Sequence, residues 1–317
     1  MKSKNILTFT SAIVLSIAIS FVCAEDKVDL RLKLEKGQSY KMQTVQDFKL
    51  SQVENGQQRD TSLIINIRYI YDVEDVDADG NAWIKVTYNS LYSKEEDSTG
   101  SKIEYDSSNR PDVIPRGLLA FDALLGKSFL ILVSPKGEIK DIKGADLLQK
   151  AIIDKIPPKN EGEISFNTND MIKEWSGEQA LREALEENLF AFYQNEPVGV
   201  GDTWQKSYVI SKNIPPINVQ AIYTFKERKD GITTVDLFAM AQPNLGTEPI
   251  PTGEGTIQFK FSGDITGIIE LNESTGWIVH SQQTSRLKGQ VMLIYPQIPQ
   301  GMIVPVSITD TITQESF

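Results

Sequence analysis

The residues best suited to metal chemistry lie in one short run. Asp75-Val76-Asp77-Ala78-Asp79-Gly80-Asn81 places carboxylates at its first, third and fifth positions and glycine at the sixth, the spacing of a calcium loop of the EF-hand kind. The twelfth position, where such a loop needs a bidentate Glu, is Val86. The run also joins two alternating apolar segments rather than two helices, so a solvated hairpin turn is its ordinary reading. Asp75, Asp77 and Asp79 are a weak metal candidate, and no cofactor is expected.

Acid–base and nucleophilic chemistry fare no better. His280 is the only histidine, which rules out a His-rich metal site, and no Gly-x-Ser-x-Gly run offers it a serine nucleophile. The sequence reads it at the end of a strand, sharing a face with Ile278, as a structural imidazole. Ser285-Arg286-Leu287-Lys288 spells the Ser-x-x-Lys of acyl-transfer enzymes. That spacing works on a helix; on a strand, residues three apart point to opposite faces. The 43 acidic residues leave many possible carboxylate pairs for glycoside hydrolysis, which sequence cannot sort by distance. Trp83, Trp175, Trp204 and Trp277 could be carbohydrate platforms, but their places near strand starts and a helix favour packing. No catalytic residue is assigned, and the ligand-binding residues are unknown at this level.

The elements that would position such groups are mostly strands. Val28, Leu30, Leu32 and Leu34 alternate with Asp29, Arg31 and Lys33, which predicts a half-buried strand. Leu63, Ile65, Ile67, Tyr69 and Tyr71 share one face, and after Asp79-Gly80-Asn81 so do Ala82, Ile84, Val86 and Tyr88. An Asp-Gly pair between alternating runs marks a hairpin, because glycine reaches positive φ without a steric cost. Further hairpins are expected at Pro135-Lys136-Gly137, Lys229-Asp230-Gly231 and Ser274-Thr275-Gly276. Helices are expected at Ala145–Ile156, ended by Pro157-Pro158, and at Gly177–Gln194, with a Ser176/Gln179 capping box and a Leu181, Leu185, Leu189 stripe. A shorter helix is expected near Leu118–Leu125, and loops at 213–218 and 243–255.

The two ends of the chain look alike. Gly37-Gln38-Ser39-Tyr40 is echoed by Gly201-Asp202-Thr203-Trp204, each followed by a strand and by two hairpins in the same order. The fold class is therefore mainly β, with antiparallel sheets in two related halves and a short helical segment between them; α+β is the alternative. The expected division is 1–24 signal peptide, 25–143 first half, 144–196 helical segment and 197–317 second half.

Lys2 and Lys4 precede the uncharged run Ile6–Val22, and Val22-Cys23-Ala24 precedes Glu25, the pattern of a signal peptide cut between Ala24 and Glu25. The run is shorter than the roughly 20 residues a helix needs to cross a bilayer, so no integral span is expected after cleavage. Lipid anchoring at Cys23 is an alternative, although Ser20-Phe21-Val22 departs from the usual lipobox. The protein is thus expected to be exported, periplasmic or secreted. The formal net charge is −11, and loss of two lysines makes it more acidic still, which argues against nucleic acid as a partner. Cleavage also removes the single cysteine, excluding thiol chemistry and disulfides.

Leu34-Glu35-Lys36-Gly37-Gln38-Ser39-Tyr40, Ser134-Pro135-Lys136-Gly137-Glu138-Ile139 and Pro197-Val198-Gly199-Val200-Gly201-Asp202-Thr203-Trp204 form an ordered set. Together they resemble a family of exported bacterial proteins known as a domain of unknown function, over essentially the whole mature length. The resemblance implies export and fold and carries over no functional residue. The expected function is a non-catalytic envelope protein that binds an apolar ligand or protein partner in a groove between sheet and helices. A structural or assembly factor pairing through strand edges, or a carboxylate-dependent hydrolase, are the alternatives.

Overall fold

A computed structural model describes residues 27–54, 56–156, 177–210, 217–243, 249–252, 255–295 and 298–317. The expected signal peptide, its Ala24/Glu25 cut, Cys23, Trp175 and the Ser176 cap lie outside the described residues. The first half holds β1 (Ser39–Glu54), β2 (Gln57–Val76), β3 (Ala82–Asp97), β4 (Lys102–Asp106), α1 (Leu119–Leu124), β5 (Ser128–Val133) and β6 (Ile139–Lys143). Next come α2 (Ala145–Lys155) and α3 (Glu178–Leu185), the latter running on as a π-helical turn over Glu186–Phe190. The second half holds β7 (Thr203–Ile210), β8 (Ile217–Lys229), β9 (Ile232–Pro243), β10 (Ile250–Thr252), β11 (Gly255–Asn272), β12 (Ile278–Tyr295) and β13 (Ile298–Ser316).

All thirteen strands join one antiparallel sheet, in the order β6-β5-β3-β2-β1-β13-β12-β11-β9-β8-β7, with β4 beside β3 and β10 beside β11. Each half is a meander, and the two meet where β1 pairs with β13 from Met42↔Ser316 to Gln52↔Val306. The expected hairpins fall where the glycines require them: Gly80, Gly137, Gly231 and Gly276 all have positive φ. The lead-ins to β1 and β7 use one hydrogen-bond scheme. Gly37 N donates to Val73 O and Val73 N to Gln38 O; Gly201 N donates to Phe225 O and Phe225 N to Asp202 O.

Alternation decides what is buried. Ala82, Ile84 and Val86 on β3 are buried with Val133, Ile131 and Phe129 opposite them on β5. Val235, Leu237, Ala239 and Ala241 on β9 do the same against β8. These inward residues define an inner face, the one on which α3 lies. Glycines shape that face: a Cβ at Gly263 or Gly289 would run into the carbonyl oxygen of Arg286 or Lys260 on the facing strand. Strand glycines of this kind allow a tight bend toward the face they occupy.

Several expectations need correction. Residues 28–34 are not a strand. They run extended, with only a Val28↔Val198 bridge, because Leu32 N and Lys33 N donate to Pro135 O and Thr275 O of two separate hairpin turns. The alternation read there is real, since Val28, Leu30, Leu32 and Leu34 are buried, but it packs a strap across turns. The second helix ends as a π turn at Phe190, short of Gln194. Gly177 occupies its N-cap without a side-chain bond. The 243–255 stretch contains the short strand β10. A register shift near Leu271 leaves Val279 unpaired in β12, so Ile278 and Ser281 are both buried and His280 does not share the face of Ile278.

Candidate functional site

The helical segment is fastened across the inner face. Leu181, Leu185 and Leu189 are buried on one stripe, as the spacing of four predicts. The π turn adds a residue per turn, so Leu189 and Phe190 are both buried, and Asn188 Nδ2 donates to Ala184 O within it. Beyond it, Trp204 Nε1 donates to Phe192 O at 2.9 Å and Tyr193 OH to Gly276 O at 2.7 Å. On the other half of the sheet, a Cβ on Gly137 would strike the Tyr193 ring and Phe190. The segment is therefore bolted to both halves.

A cavity opens on each side of this helix. One, of about 210 Å³, lies over the first half between Leu181, Leu185, Leu189 and the sheet residues Ile65, Ile67, Tyr69 and Phe129. The other, of about 520 Å³, lies between the helix residues Glu183, Glu186, Glu187 and Phe190, the β5–β6 turn, and Lys206 and Tyr208 of β7. The larger has the size and mixed lining of a small-molecule site, and the smaller falls below that size.

Polar groups are set into the otherwise apolar floor near the seam. Gln46 Nε2 donates to both carboxylate oxygens of Asp310, at 3.1 and 3.0 Å. Ser281 Oγ donates to the buried Gln314 Oε1 at 2.9 Å. Burial pushes the Asp310 carboxyl up, against the Gln46 hydrogen bonds and with help from Asp47. Glu187, on the π turn, lines the larger cavity. Burial, followed by the charges of Asp310 and Glu183, pushes its carboxyl up to about 7. Tyr208 and Tyr223, near Glu187, are raised by burial and by each neighbouring ionisable group. Glu186 is raised as well, by burial first.

The residues singled out from sequence are scattered. Asp77 spends its carboxylate on its own turn, accepting from Asp79 N, Asn81 N and Asn81 Nδ2 at 2.8–2.9 Å. Asp75 pairs with Lys36 at 3.0 Å. Among the described residues no three His, Cys, Asp or Glu side chains gather as metal ligands. His280 Nδ1 lies 3.6 Å from Glu315 Oε1. Ser285 lies inward and Lys288 is exposed on the opposite face of β12. Lys143 Nζ sits 4.0 Å over the Trp83 ring. Trp204 and Trp277 are buried, the latter stacked on Tyr40 at 4.6 Å, so neither offers a sugar platform.

Sequence reasoning missed Glu187 and Asp310. Asp310 was visible in principle: it interrupts the inward row Val304, Val306, Ile308, Ile312 with an acid. Glu187 was not, because it lies on the π turn, and nothing in Glu186-Glu187-Asn188 announces that turn.

Among the described residues no helix is long and apolar enough to cross a membrane. No curated protein matches the chain in sequence. Among solved structures, lipovitellin, in a study of lipid–protein interactions, superposes with TM-score 0.44 and 9% identity over 89% of this chain and 25% of its own. The chain thus spans about a quarter of that protein. Pseudomonas aeruginosa OccK7 gives TM-score 0.22 and 7% identity over 89% of this chain and 99% of its own. A DUF1329 family protein from Desulfovibrio piger gives TM-score 0.13 and 8% identity, over 84% and 83%. At scores this low none of them bears on what the chain does. A family model is more informative: it matches residues 79–278, from the β2–β3 turn to the first residue of β12. That span covers well over half of the sequence, and by it the chain belongs to DUF6263, a family of unknown function.

Proposed function

We propose that this chain is a non-catalytic extracytoplasmic protein that holds an apolar or amphiphilic ligand between its sheet and its helical segment. One observation carries the reading: a helix bolted across an apolar, inward-bent sheet face, with cavities of about 210 and 520 Å³ on its two flanks. Clefts of mixed apolar and polar lining beside a fixed helix are where small-molecule sites occur. Export rests on the Lys2/Lys4 start, the Ile6–Val22 run and the Ala24/Glu25 cut. N-terminal sequencing that begins at Glu25 supports it, and a diacylated Cys23 would replace release with anchoring. The matching lead-ins at Gly37 and Gly201 support reading the two meanders as copies of one unit.

The hydrolase alternative has Glu186 and Glu187, which line the same cavity. Acid–base division of labour needs environments that push two carboxyls apart, and here burial pushes both upward. An assembly role draws on the β7 edge of the sheet and on Ile222, Phe238 and Met240, exposed on the outer face of β8 and β9. Native mass spectrometry of the protein purified from the envelope of expressing cells decides for ligand binding. The expected result is a reproducible added mass, lost on denaturation; repeated preparations that carry none would overturn it.

A further inference from the structure

We propose that the smaller cavity is a carbonyl site: it takes the uncharged acyl end of a ligand, an ester or ketone, whose oxygen accepts from the phenols of Tyr69, Tyr71 and Tyr88. This rests on the groove-binding reading above and names the chemical class of the ligand. Tyr71 is only 3% exposed, Tyr69 and Tyr88 are partly buried, and all three line the cavity. None of their hydroxyls has a hydrogen bond to a described residue. A buried phenol normally finds a partner, as Tyr105 does in Asp122 and Tyr193 in the carbonyl of Gly276. The same wall carries Gln314, also 3% exposed. Its Oε1 accepts from Ser281 Oγ, while its amide nitrogen donates to no described residue. Thr44 adds a further hydroxyl without a partner.

The rings hold one another in place. Tyr71 packs edge-on against Trp277 at 5.2 Å and lies 6.0 Å from Tyr69, which lies 5.2 Å from Tyr88. Burial first, then the neighbouring phenols, raise Tyr69 and Tyr71, and burial raises Tyr88 to about 12. All three therefore stay protonated donors at neutral pH. Gln46 and Asn188 each add an amide oxygen to the wall, fewer acceptors than the phenols, Thr44 and Gln314 offer donors. A hydrocarbon leaves those donors unpaired, and a carbonyl satisfies them. Charge decides among acceptors. Among the described residues no charged side chain lines the cavity, so an ionised carboxylate would lose its hydration with no counter-ion beside it. The space fits one end of a ligand: a cavity of about 150 Å³ takes up benzene, and about 210 Å³ takes a ring or short chain with one polar group.

Acetophenone, ethylbenzene and benzoate share one ring and differ in the group it carries. Each is titrated calorimetrically into the full mature chain, cleared of retained small molecules on a hydrophobic resin. Acetophenone is expected to bind about tenfold more tightly than ethylbenzene, as one to two added hydrogen bonds give, and benzoate to bind most weakly. Tyr71→Phe and Tyr69→Phe keep the rings. Each should cut the preference about threefold or more and leave ethylbenzene binding intact, which also shows that the variants are folded. Because the lost hydroxyl has no partner, the urea midpoint of the unliganded variants should stay level or rise, whereas a structural role would lower it. Tyr105→Phe, away from the cavity, should keep the parent preference. Equal binding of acetophenone and ethylbenzene, tightest binding of benzoate, or a preference unchanged in both cavity variants would overturn the carbonyl site. So would the binding of none of the three, which leaves the hydroxyls to water. A mass retained in native mass spectrometry would then keep the groove reading standing through the larger cavity, and its absence would end both.

Discussion

One heavily committed side chain lies away from the cavities. Asp122 on α1 is wholly inaccessible to solvent. It accepts from Tyr105 OH at 2.5 Å, pairs with Arg110, and lies 3.2 Å from Lys155 Nζ at the end of α2. One carboxylate thus ties β4, the 3₁₀ turn after it, α1 and α2 together. Burial first and then the Asp122 hydrogen bond push the Tyr105 phenol up to about 12, so Tyr105 remains a donor throughout the physiological range. Asp122→Ala would strand the buried Tyr105 hydroxyl, while Arg110 and Lys155, both partly exposed, could turn to water. The expected loss is about 2–3 kcal/mol in urea unfolding, with Tyr105→Phe costing about 1 kcal/mol. A loss for Asp122→Ala within about 0.5 kcal/mol of zero, the range of an ordinary surface change, would show that the network does not stabilise the fold. None of this was legible in sequence, where Asp122 is one acid in a short apolar helix. The same holds for Glu187, whereas Asp310, also missed, carried a signal in its parity on an alternating strand.

Local signals succeed at the scale of elements because they are backbone chemistry. Asp79-Gly80, Gly137, Asp230-Gly231 and Gly276 each demand positive φ at a hairpin, and each turned where expected. Val28–Leu34 shows the limit: period-two burial is a statement about faces, and an extended strap between turns satisfies it as well as a strand does. The π turn and the β12 irregularity at Val279 escape notice for a related reason, as each shifts a pattern by one residue only when tertiary contacts demand it. The inner-face glycines belong to this scale as well. Gly263 in β11 and Gly289 in β12 look like weak points of two strands, yet the bend leaves no room for a methyl group against the carbonyls of Arg286 and Lys260. Gly263→Ala is expected to destabilise by about 1–3 kcal/mol, as overpacking does. Gln282→Ala, exposed on the other face of β12, should stay within about 0.5 kcal/mol of the parent. Equal effects of the two substitutions on the urea midpoint would mean that the bend does not depend on glycine.

Taken whole, the molecule is two meanders with a single seam, and β13 is the strand that makes it. It pairs with β12 on one side and β1 on the other, so the first and second halves share a sheet only through it. β1 and β13 are also far apart in sequence, Met42 facing Ser316, and contacts of such separation form late and slowly because loop closure precedes their reward. Each meander can gather locally, but the continuous floor under the helix, with Gln46 on one strand and Asp310 on the other, exists only after the seam closes. The consequence is testable by truncation after Tyr295. Without β13, β1 and β12 become free edges of 16 and 18 residues, long and unprotected, which is the geometry that pairs with other chains. The truncated protein should appear as aggregate or high oligomer in size-exclusion chromatography, with no bound ligand in native mass spectrometry. A monomeric, cooperatively unfolding truncation product would show that the helical segment and the Val28–Leu34 strap, which bonds to turns of both halves, suffice to hold the two meanders together, and the seam would then be a consequence of the fold rather than its cause.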